Sequence, residues 1–205
     1  MLPNGSLILQ ILSDENCTLQ GNTAIWNTPI DELAVQFIPP DLGVTDALLA
    51  KTVVSQGYTA SVNVTVINNS TCAQTLNVTV FANTTSIKTQ SIILEGNISI
   101  TMNLILNTSD LAKGNYSITV AVDIIPDELN IEDNLFAAGW ILVTSPGDIA
   151  PDYNIVDIFD ITTVALSFNS EPGDLNWNPI ADINSDNLVD IFDIVVVALH
   201  FGETG

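Results

Sequence analysis

The chain has 205 residues, enough for one domain of ordinary size and a second small one. It carries 24 acidic residues against only 3 Lys or Arg, which gives a formal net charge of −21 at pH 7. This balance argues against nucleic-acid binding, because almost nothing in the chain could neutralise phosphates. One His and two Cys offer no pair of nucleophile and base, so the sequence predicts a protein that is not an enzyme.

Residues 1–40 are predicted to form an arm in front of the main domain. Strand-like apolar pieces at residues 6–12 and 32–38 are followed by Pro39-Pro40-Asp41, a turn sequence that closes the segment. Two destinations are open to the arm: it packs within its own subunit, or it pairs with an open sheet edge of the next copy and builds a filament by strand donation. Residues 1–12 lack a basic start, so we expect an export signal to have been removed or to lie upstream.

Segments with period-2 alternation of apolar and polar residues fill residues 41–145. They lie at about 44–54, 58–67, 75–82, 86–94, 97–106, 115–123 and 136–144. Seven short strands at this spacing predict an Ig-like β-sandwich. We expect Trp140, within the last segment, to lie in its core.

Four short phrases in this region resemble the CARDB group of Ig-like domains, which occur on archaeal and bacterial surface proteins. They are KTVVSQGY at 51–58, VNVTVINN at 62–69, LAKGNYSI at 111–118 and EDN at 132–134. The resemblance covers about residues 41–145. It implies an extracellular β-sandwich, and it carries no functional residue over to this chain.

Ten Asn-x-Ser/Thr sequons, the acceptor motif for N-linked glycans, occur in the chain, and none lies in the final ninety residues. They are Asn4, Asn16, Asn63, Asn68, Asn69, Asn77, Asn83, Asn97, Asn107 and Asn115. Strand parity places several of them on the polar face, as with Asn63 between Val62 and Val64. We therefore predict an N-glycosylated protein that is extracellular or on the cell surface. The alternative is that a β protein rich in Asn and Thr forms sequons by chance.

Cys17 and Cys72 are the only cysteines, too few for a zinc site without added His. In an oxidising compartment we expect a disulfide between them, which would tie the arm to the β domain. The alternative is two buried thiols.

The last region, residues 146–205, contains one segment twice. Residues 155–168 read IVDIFDITTVALSF and residues 188–201 read LVDIFDIVVVALHF, with ten of fourteen positions identical at an offset of 33. Each copy is rich in apolar residues after the second Asp, which predicts a helix in each repeat. The helices are expected to pack on each other, with Trp177 pinning the linker across the pair.

A twelve-residue loop precedes the second helix and predicts a calcium site. Its ligands are Asp182, Asn184, Asp186, the carbonyl of Leu188, Asp190 and Asp193, at loop positions 1, 3, 5, 7, 9 and 12. Calcium takes six to eight oxygen ligands, and a loop of this kind delivers them at these positions. Asn187 stands at position 6, where the turn needs the left-handed backbone that Asn tolerates.

Residues 147–204 resemble the dockerin family, whose type I modules carry two such loops, each followed by one helix. Loop two matches the family's ligand positions one by one. The resemblance implies a second calcium site in loop one and a cohesin protein as partner. The residues at loop positions 10 and 11, which contact cohesin in dockerins, are usually polar or small.

Loop one spans thirteen residues, so one residue is inserted. Alignment from its end makes its ligands Asp148, Asp152, the carbonyl of Ile155, Asp157 and Asp160. Tyr153 is then the extra residue, Asn154 matches Asn187, and Ala150 replaces the ligand at position 3, so we expect the weaker site here. The alternative for both loops is that their aspartates cap helices and solvate turns.

The recognition positions depart from the dockerin pattern, because they hold Ile158-Phe159 and Ile191-Phe192. These apolar pairs belong to an intramolecular core, or they dock against the neighbouring domain or against another subunit. These apolar pairs argue against ordinary cohesin binding.

The sequence thus predicts a mainly β chain with an arm at 1–40, an Ig-like sandwich at 41–145 and a small α-helical calcium module at 146–205. The favoured function is a glycosylated, calcium-stabilised structural subunit of a cell-surface assembly or filament, with other copies of itself as partners. The alternative is an attachment module that binds a cohesin-like protein or a surface ligand through its dockerin-like end.

Overall fold

The structure of the protein is a computed structural model that describes residues 39–204 and the backbone of four strands in the arm. Strand β1 (Leu7–Gln10) pairs antiparallel with β4 (Ala34–Phe37), and β2 (Cys17–Gln20) pairs antiparallel with β3 (Thr23–Trp26). Strands β1 and β4 fall in the two predicted pieces. The β2–β3 hairpin was not predicted, although Gly21-Asn22 between its strands is a turn signal.

Eight strands build the main domain in two sheets. They are β5 (Leu42–Leu49), β6 (Val53–Ser55), β7 (Thr59–Asn68), β8 (Gln74–Ala82), β9 (Thr85–Leu94), β10 (Ile98–Asn107), β11 (Gly114–Val122) and β12 (Leu135–Thr144). One sheet has the order β10-β7-β5, and the other has the order β6-β12-β11-β8-β9. All pairs are antiparallel except β6 with β12. The predicted mainly β fold is confirmed, and the last six of the seven predicted segments each correspond to one strand.

The first predicted segment, 44–54, is two strands rather than one. Strand β5 pairs with β7 in the smaller sheet, whereas β6 pairs with β12 in the larger one. Residues 50–52 therefore carry the chain across from one sheet to the other, and this crossing places Lys51 at the end of the sandwich nearest the C-terminal module.

Alternation along the strands produces the core between the sheets. On β7, Ala60, Val62, Val64 and Val66 are buried, and they pack with β-branched residues of the opposite sheet such as Val78 and Val120. β-branched side chains suit a pleated surface, and each buried one contributes about 1.5–3 kcal/mol relative to exposure.

Trp140 is 63% exposed, so its expected place in the core is wrong. The register of β11 against β12 shifts between Ile118 and Thr119, and Gly139 adopts a φ of +128° at this bulge. Even-numbered residues such as Phe136 pack inward before the bulge, and Ile141 does so after it. One extra residue thus reverses the parity and turns Trp140 outward.

The C-terminal module contains the two predicted helices, α1 (Ile158–Leu166) and α2 (Ile191–Leu199). They pack on each other around a second core formed by Ile149, Val156, Val164, Ala181, Ile183, Val189, Val196 and Val197. Trp177 of the linker packs against this core, as does Tyr58 from the sandwich. The module is therefore joined to the sandwich by shared apolar packing.

The two repeats are tied to each other by matching hydrogen bonds. The Val156 amide donates to the carbonyl of Glu203 at 2.9 Å and the Gly202 amide donates to the carbonyl of Val156 at 2.8 Å. At the same positions in the other half, the Val189 amide donates to the Ser170 carbonyl at 3.0 Å, and the Asn169 amide donates to the Val189 carbonyl at 2.7 Å. Each loop thus pairs with the segment after the other repeat's helix, which gives the module an internal two-fold symmetry.

Asn68 fastens the end of β7, and its substitution tests the sandwich. Its side chain is fully buried, and its Nδ2 donates to the carbonyls of Cys72 at 2.9 Å and Leu94 at 2.8 Å. We expect Asn68→Asp to lower the free energy of unfolding by about 2–4 kcal/mol, because the buried carboxylate oxygen that replaces Nδ2 would face two carbonyls and could donate to neither. Urea unfolding measures this change. The matched control is Asn63→Asp on the exposed face of the same strand; an equal loss in both variants would contradict the assignment.

Candidate metal centres

Loop two of the module folds around its own aspartates. One carboxylate oxygen of Asp182 accepts from the Asp186 amide at 3.2 Å, and the other accepts from the Asn187 amide at 3.0 Å. Ser185 and Asn187 take left-handed backbone, with φ values of 62° and 68°. The prediction that Asn187 fills a left-handed position is confirmed, and this turn directs the loop back over Asp182.

Position 12 of loop two closes the loop onto its helix. Asp193 is fully buried; its Oδ1 accepts from the amides of Ile183 at 2.8 Å and Asn184 at 3.3 Å, and its Oδ2 accepts from the Asp190 amide at 2.9 Å. Asp190 in turn caps α2 through the Phe192 amide at 2.8 Å. Burial raises the pKa of both Asp182 and Asp193 above the usual range.

Loop one repeats this arrangement in the register predicted for its first and last positions. Asp160 is fully buried; its Oδ1 accepts from the amides of Ile149 and Ala150, both at 2.7 Å, and its Oδ2 accepts from the Asp157 amide at 2.8 Å. Since Ile149 and Ala150 correspond to Ile183 and Asn184, Asp148 occupies the position of Asp182.

The insertion alters the turn of loop one. Tyr153 takes the left-handed conformation, with a φ of 42°, whereas Asn154 does not. Asn154 was expected to take the left-handed conformation of Asn187, and this expectation is wrong. The extra residue moves the left-handed turn one position earlier, to Tyr153. Asp152 is exposed. Asp157 is half-buried, and it caps α1 because its Oδ1 accepts from the Phe159 amide at 2.7 Å.

The capping alternative thus describes part of what these aspartates do. Asp157 with Asp160, and Asp190 with Asp193, form capping boxes at the two helices. A carboxylate oxygen has two acceptor sites, so an oxygen that accepts one amide keeps a lone pair for a cation. Among residues 39–204 no three Asp, Glu, His or Cys side chains are arranged so that they could hold an ion as they stand.

Asp148 is the one buried loop aspartate whose carboxylate is left without a donor. Its side chain is fully buried, and neither oxygen has a hydrogen-bond partner. Burial, followed by repulsion from Asp160, Asp152 and Asp157, raises the pKa of Asp148 to about 6. A buried carboxylate without a partner is costly unless a cation meets it. The residues of loop one therefore fit a divalent cation that would sit against Asp148.

Loop two is latched to the sandwich by Lys51, a contact that the sequence did not indicate. The Lys51 side chain is buried, and its Nζ donates to the Asp182 carbonyl at 2.7 Å and to Ser185 Oγ at 2.8 Å. Ser185 Oγ donates to the Thr59 carbonyl at 2.8 Å. Burial lowers the pKa of Lys51, against the attraction of Asp182 and Asp193. Only the rarity of Lys in this chain pointed to a special role.

Lys113 lies near loop one. It lines a small surface pocket together with Asp148 and Tyr153, and its Nζ donates to Ser145 Oγ at 3.3 Å. Its charge lowers the pKa of Asp148, but less than burial and the neighbouring carboxylates raise it. Two of the chain's three strong bases thus face the two acidic loops.

The Ile-Phe pairs lie on the surface of the module. Ile158, Phe159, Ile191 and Phe192 are 54–63% exposed. The alternative that they belong to an intramolecular core is therefore wrong, because the helices bury Asp160, Val164, Asp193 and Val197 instead. Apolar side chains at positions 10 and 11 remain available to a neighbour.

Most sequons within the described residues are accessible. Asn63, Asn69, Asn83, Asn97, Asn107 and Asn115 are exposed, and Asn77 is half-buried. Asn68 differs, because its amide nitrogen, where a glycan would be attached, is buried and makes two hydrogen bonds. A glycan on Asn68 would replace one of these two N–H donors at a fully buried position, which the fold disfavours, and Asn68 as an acceptor stays a prediction. Asn4 and Asn16 lie outside the described residues.

The predicted disulfide cannot be placed in the same way. Cys72 is exposed in the turn between β7 and β8. The side chain of Cys17 lies outside the described residues, so the Cys17–Cys72 pair stays a prediction.

No protein-family model matches the chain, and no curated protein matches it either. Among solved structures it is similar to the CARDB domain of a Pyrococcus furiosus protein, crystallised in complex with di-metal ions, with 23% identity over 54% of this chain and 98% of that domain and a TM-score of 0.44. A domain from a candidate cell-surface protein of Methanosarcina acetivorans gives 22% identity over 52% of this chain and 93% of that domain, with a TM-score of 0.41. A β-glucosidase of Erythrobacter marinus gives 14% identity over 63% of this chain and 18% of that enzyme, with a TM-score of 0.38.

The strand order and the alternating core establish the β-sandwich without these likenesses. Within the part of the chain that the structure describes, no helix has the length and apolar character needed to span a membrane.

Asp148 predicts how the module responds to pH without calcium. The folded state holds a proton at Asp148 with a pKa of about 6, against an ordinary 3.8 in the unfolded state. The folded state therefore binds more protons between these values, and we expect stability to fall as the pH rises from about 4 through about 6. The raised pKa values of Asp182 and Asp193 act in the same direction.

Thermal melting of the helical circular dichroism signal in a chelator, at a series of pH values, measures this effect. Asp148→Asn should make the melting temperature depend less on pH. Asp152→Asn, at an exposed position of the same loop, should keep most of the pH dependence. A melting temperature that rises across this pH window would show that Asp148 is satisfied in another way.

Proposed function

We propose that this protein is a non-catalytic, extracellular, N-glycosylated structural subunit of a cell-surface assembly, stiffened by two calcium ions. The observation that carries the proposal is the buried Asp148 carboxylate, which has no hydrogen-bond partner and is surrounded by three other loop aspartates. A cation supplied from outside the chain would stabilise the charged form of this arrangement at neutral pH.

Calcium would be held by the two loops of the dockerin-like module. In loop two the ligands are Asp182, Asn184, Asp186, the Leu188 carbonyl, Asp190 and Asp193, and in loop one they are Asp148, Asp152, the Ile155 carbonyl, Asp157 and Asp160. An oxygen-only set of carboxylate, amide and carbonyl donors suits a hard cation. Loop one offers fewer side-chain oxygens because Ala150 replaces Asn184, so its affinity should be lower.

Removal of calcium tests this part of the proposal. We expect a chelator at pH 7 to abolish the helical circular dichroism of residues 147–204 that persists in chelator at lower pH, because the buried loop carboxylates are then charged and repel one another. Calcium at 100 times its dissociation constant should add about 2.7 kcal/mol of stability per site. A helical signal and melting temperature that do not respond to the chelator would remove the calcium sites from the proposal.

One substitution separates calcium binding from helix capping. Asp186 is exposed in loop two and caps neither helix, so Asp186→Asn should weaken calcium binding there by at least tenfold while the capping boxes stay intact. Isothermal titration should then show one of two binding steps weakened. The control is Asp174→Asn in the linker between the repeats, which should keep both steps.

The sequons support an extracellular location. Asn63 on β7, Asn77 on β8 and Asn115 on β11 lie on the outer faces of the two sheets, where a glycan would point into solvent. Residues 51–122 contain only two acidic residues, so glycans would supply the solubility that charge does not. The final ninety residues have no sequon, which leaves the module free of sugar.

The arm and the open sheet edges support assembly. The arm strands pair with one another in the structure, while β5, β9 and β10 each form an edge of a sheet among the described strands. An edge strand presents unpaired amides and carbonyls to another chain. A contact between two different surfaces repeats without closing, so an arm that reached such an edge on the next copy would build a filament.

Deletion of residues 1–40 tests this mode of growth. Electron microscopy of the purified native protein should show ordered assemblies, whereas the shortened chain should give small, finite species that retain the melting transition of the sandwich. Unchanged polymers from the shortened chain would rule out strand donation. A native protein that stays monomeric at every concentration would favour the alternative, an attachment module that binds a separate cohesin-like partner through residues 147–204.

A further inference from the structure

The two helices expose an apolar face on the module, which we call the helix-pair face. It consists of Ile158, Phe159, Leu166 and Phe168 from the first repeat and Ile191, Phe192, Val195, Leu199 and Phe201 from the second. On each helix, the Ile-Phe pair and the Leu seven or eight residues later fall on one side, and so does Val195 of α2. Phe168 and Phe201 lie just beyond the ends of the two helices. The opposite side of each helix is buried in the module's core.

The size of this face points to an interface. Its nine side chains are 42–74% exposed. An aromatic side chain has roughly 150–250 Å² of surface and an aliphatic one less, so together they leave several hundred Å² and at most on the order of 1,000 Å² in water. Apolar patches on monomers rarely exceed a few hundred Å², while each partner in a stable complex buries about 800 Å². The face is therefore large enough for one specific partner.

Symmetry indicates which partner fits. The matched hydrogen bonds at Val156 and Val189 show that the repeats are related by an internal two-fold. The face carries the same residue twice in equivalent places: Ile158 with Ile191, Phe159 with Phe192, Leu166 with Leu199 and Phe168 with Phe201. A second copy of this chain presents the same pattern, and an isologous contact requires one patch to be complementary to itself.

The distribution of sequons agrees with a second copy, whereas the charge of the module opposes it. The sheets of the sandwich carry exposed sequons, whereas the last sequon in the sequence, Asn115, precedes the first residue of the helix-pair face by more than forty residues. None of its nine residues is charged, but residues 148–205 contain eleven acids and no Lys or Arg. Two modules would repel each other unless calcium offset these charges, so on this point the inference rests on the calcium sites proposed above.

We propose that a second copy of this chain covers the helix-pair face through an isologous contact that includes both Ile-Phe pairs. This contact is separate from strand donation by the arm. It joins chains in pairs through their sugar-free ends, whereas donation joins them head to tail. An assembly that uses both contacts would be built from dimers.

Sedimentation velocity of the full chain in calcium tests the contact. The smallest species that persists on dilution to micromolar concentration should have the mass of two chains. The double variant Phe159→Asp/Phe192→Asp should raise the dissociation constant of this species at least about 100-fold, because buried aromatic anchors carry much of an interface's affinity. The matched control is Ile93→Asp, an exposed apolar residue on β9 of the sandwich, which should leave the dimer intact.

Folding of each variant is checked by its helical circular dichroism, and Leu166→Asp/Leu199→Asp provides a second pair on the same face. A wild type that is monomeric under these conditions, or a dimer that survives both double variants, would overturn the inference. A chelator separates this inference from the calcium proposal. Loss of the dimer together with the helical signal supports both, whereas a dimer that persists with intact helices in chelator retains the interface and removes the role of calcium.

Discussion

The burial of negative charge is the constraint on which the structure of the C-terminal module depends. Asp148, Asp160, Asp182 and Asp193 are all buried within a segment that contains no Lys or Arg of its own. Backbone amides satisfy three of them, because the loops wind so that their N–H groups point inward. The fourth, Asp148, keeps its negative charge without a donor, and the module's short helices cannot offset that cost by packing alone.

The sandwich supplies part of the compensation. Lys51 reaches loop two from the point where the chain crosses between the sheets, and Lys113 lies close to Asp148 in loop one. The module is thus less independent than a separate calcium domain would be. Its core includes Tyr58 of the sandwich, and the Gly147 amide donates to Ser55 Oγ at 3.1 Å. A disturbance of either domain is therefore expected to reach the other through this junction.

Sequence periodicity predicted the strands and helices well because each has one buried face. It failed where a single residue changes the parity or the direction of the chain. The bulge at Gly139 turns Trp140 outward, and the crossing at residues 50–52 divides one predicted strand into two. The candidate ligands were readable because their spacing in loop two is regular. The role of Lys51 was not, because a contact across 131 residues leaves no mark on local sequence.

The pairing of Val156 with Glu203 and Gly202 has a mechanical consequence. Ser145 Oγ donates to the Thr204 carbonyl at 3.5 Å, so the chain enters and leaves the module at nearly the same place. A pulling force applied at residue 204 would pass through these few hydrogen bonds directly to the end of β12. The helices and loop two lie within the closed segment, outside the line of tension, whereas the part of loop one before Val156 carries the force that passes through the Val156 bonds. The helices and loop two would bear load only after these hydrogen bonds had broken.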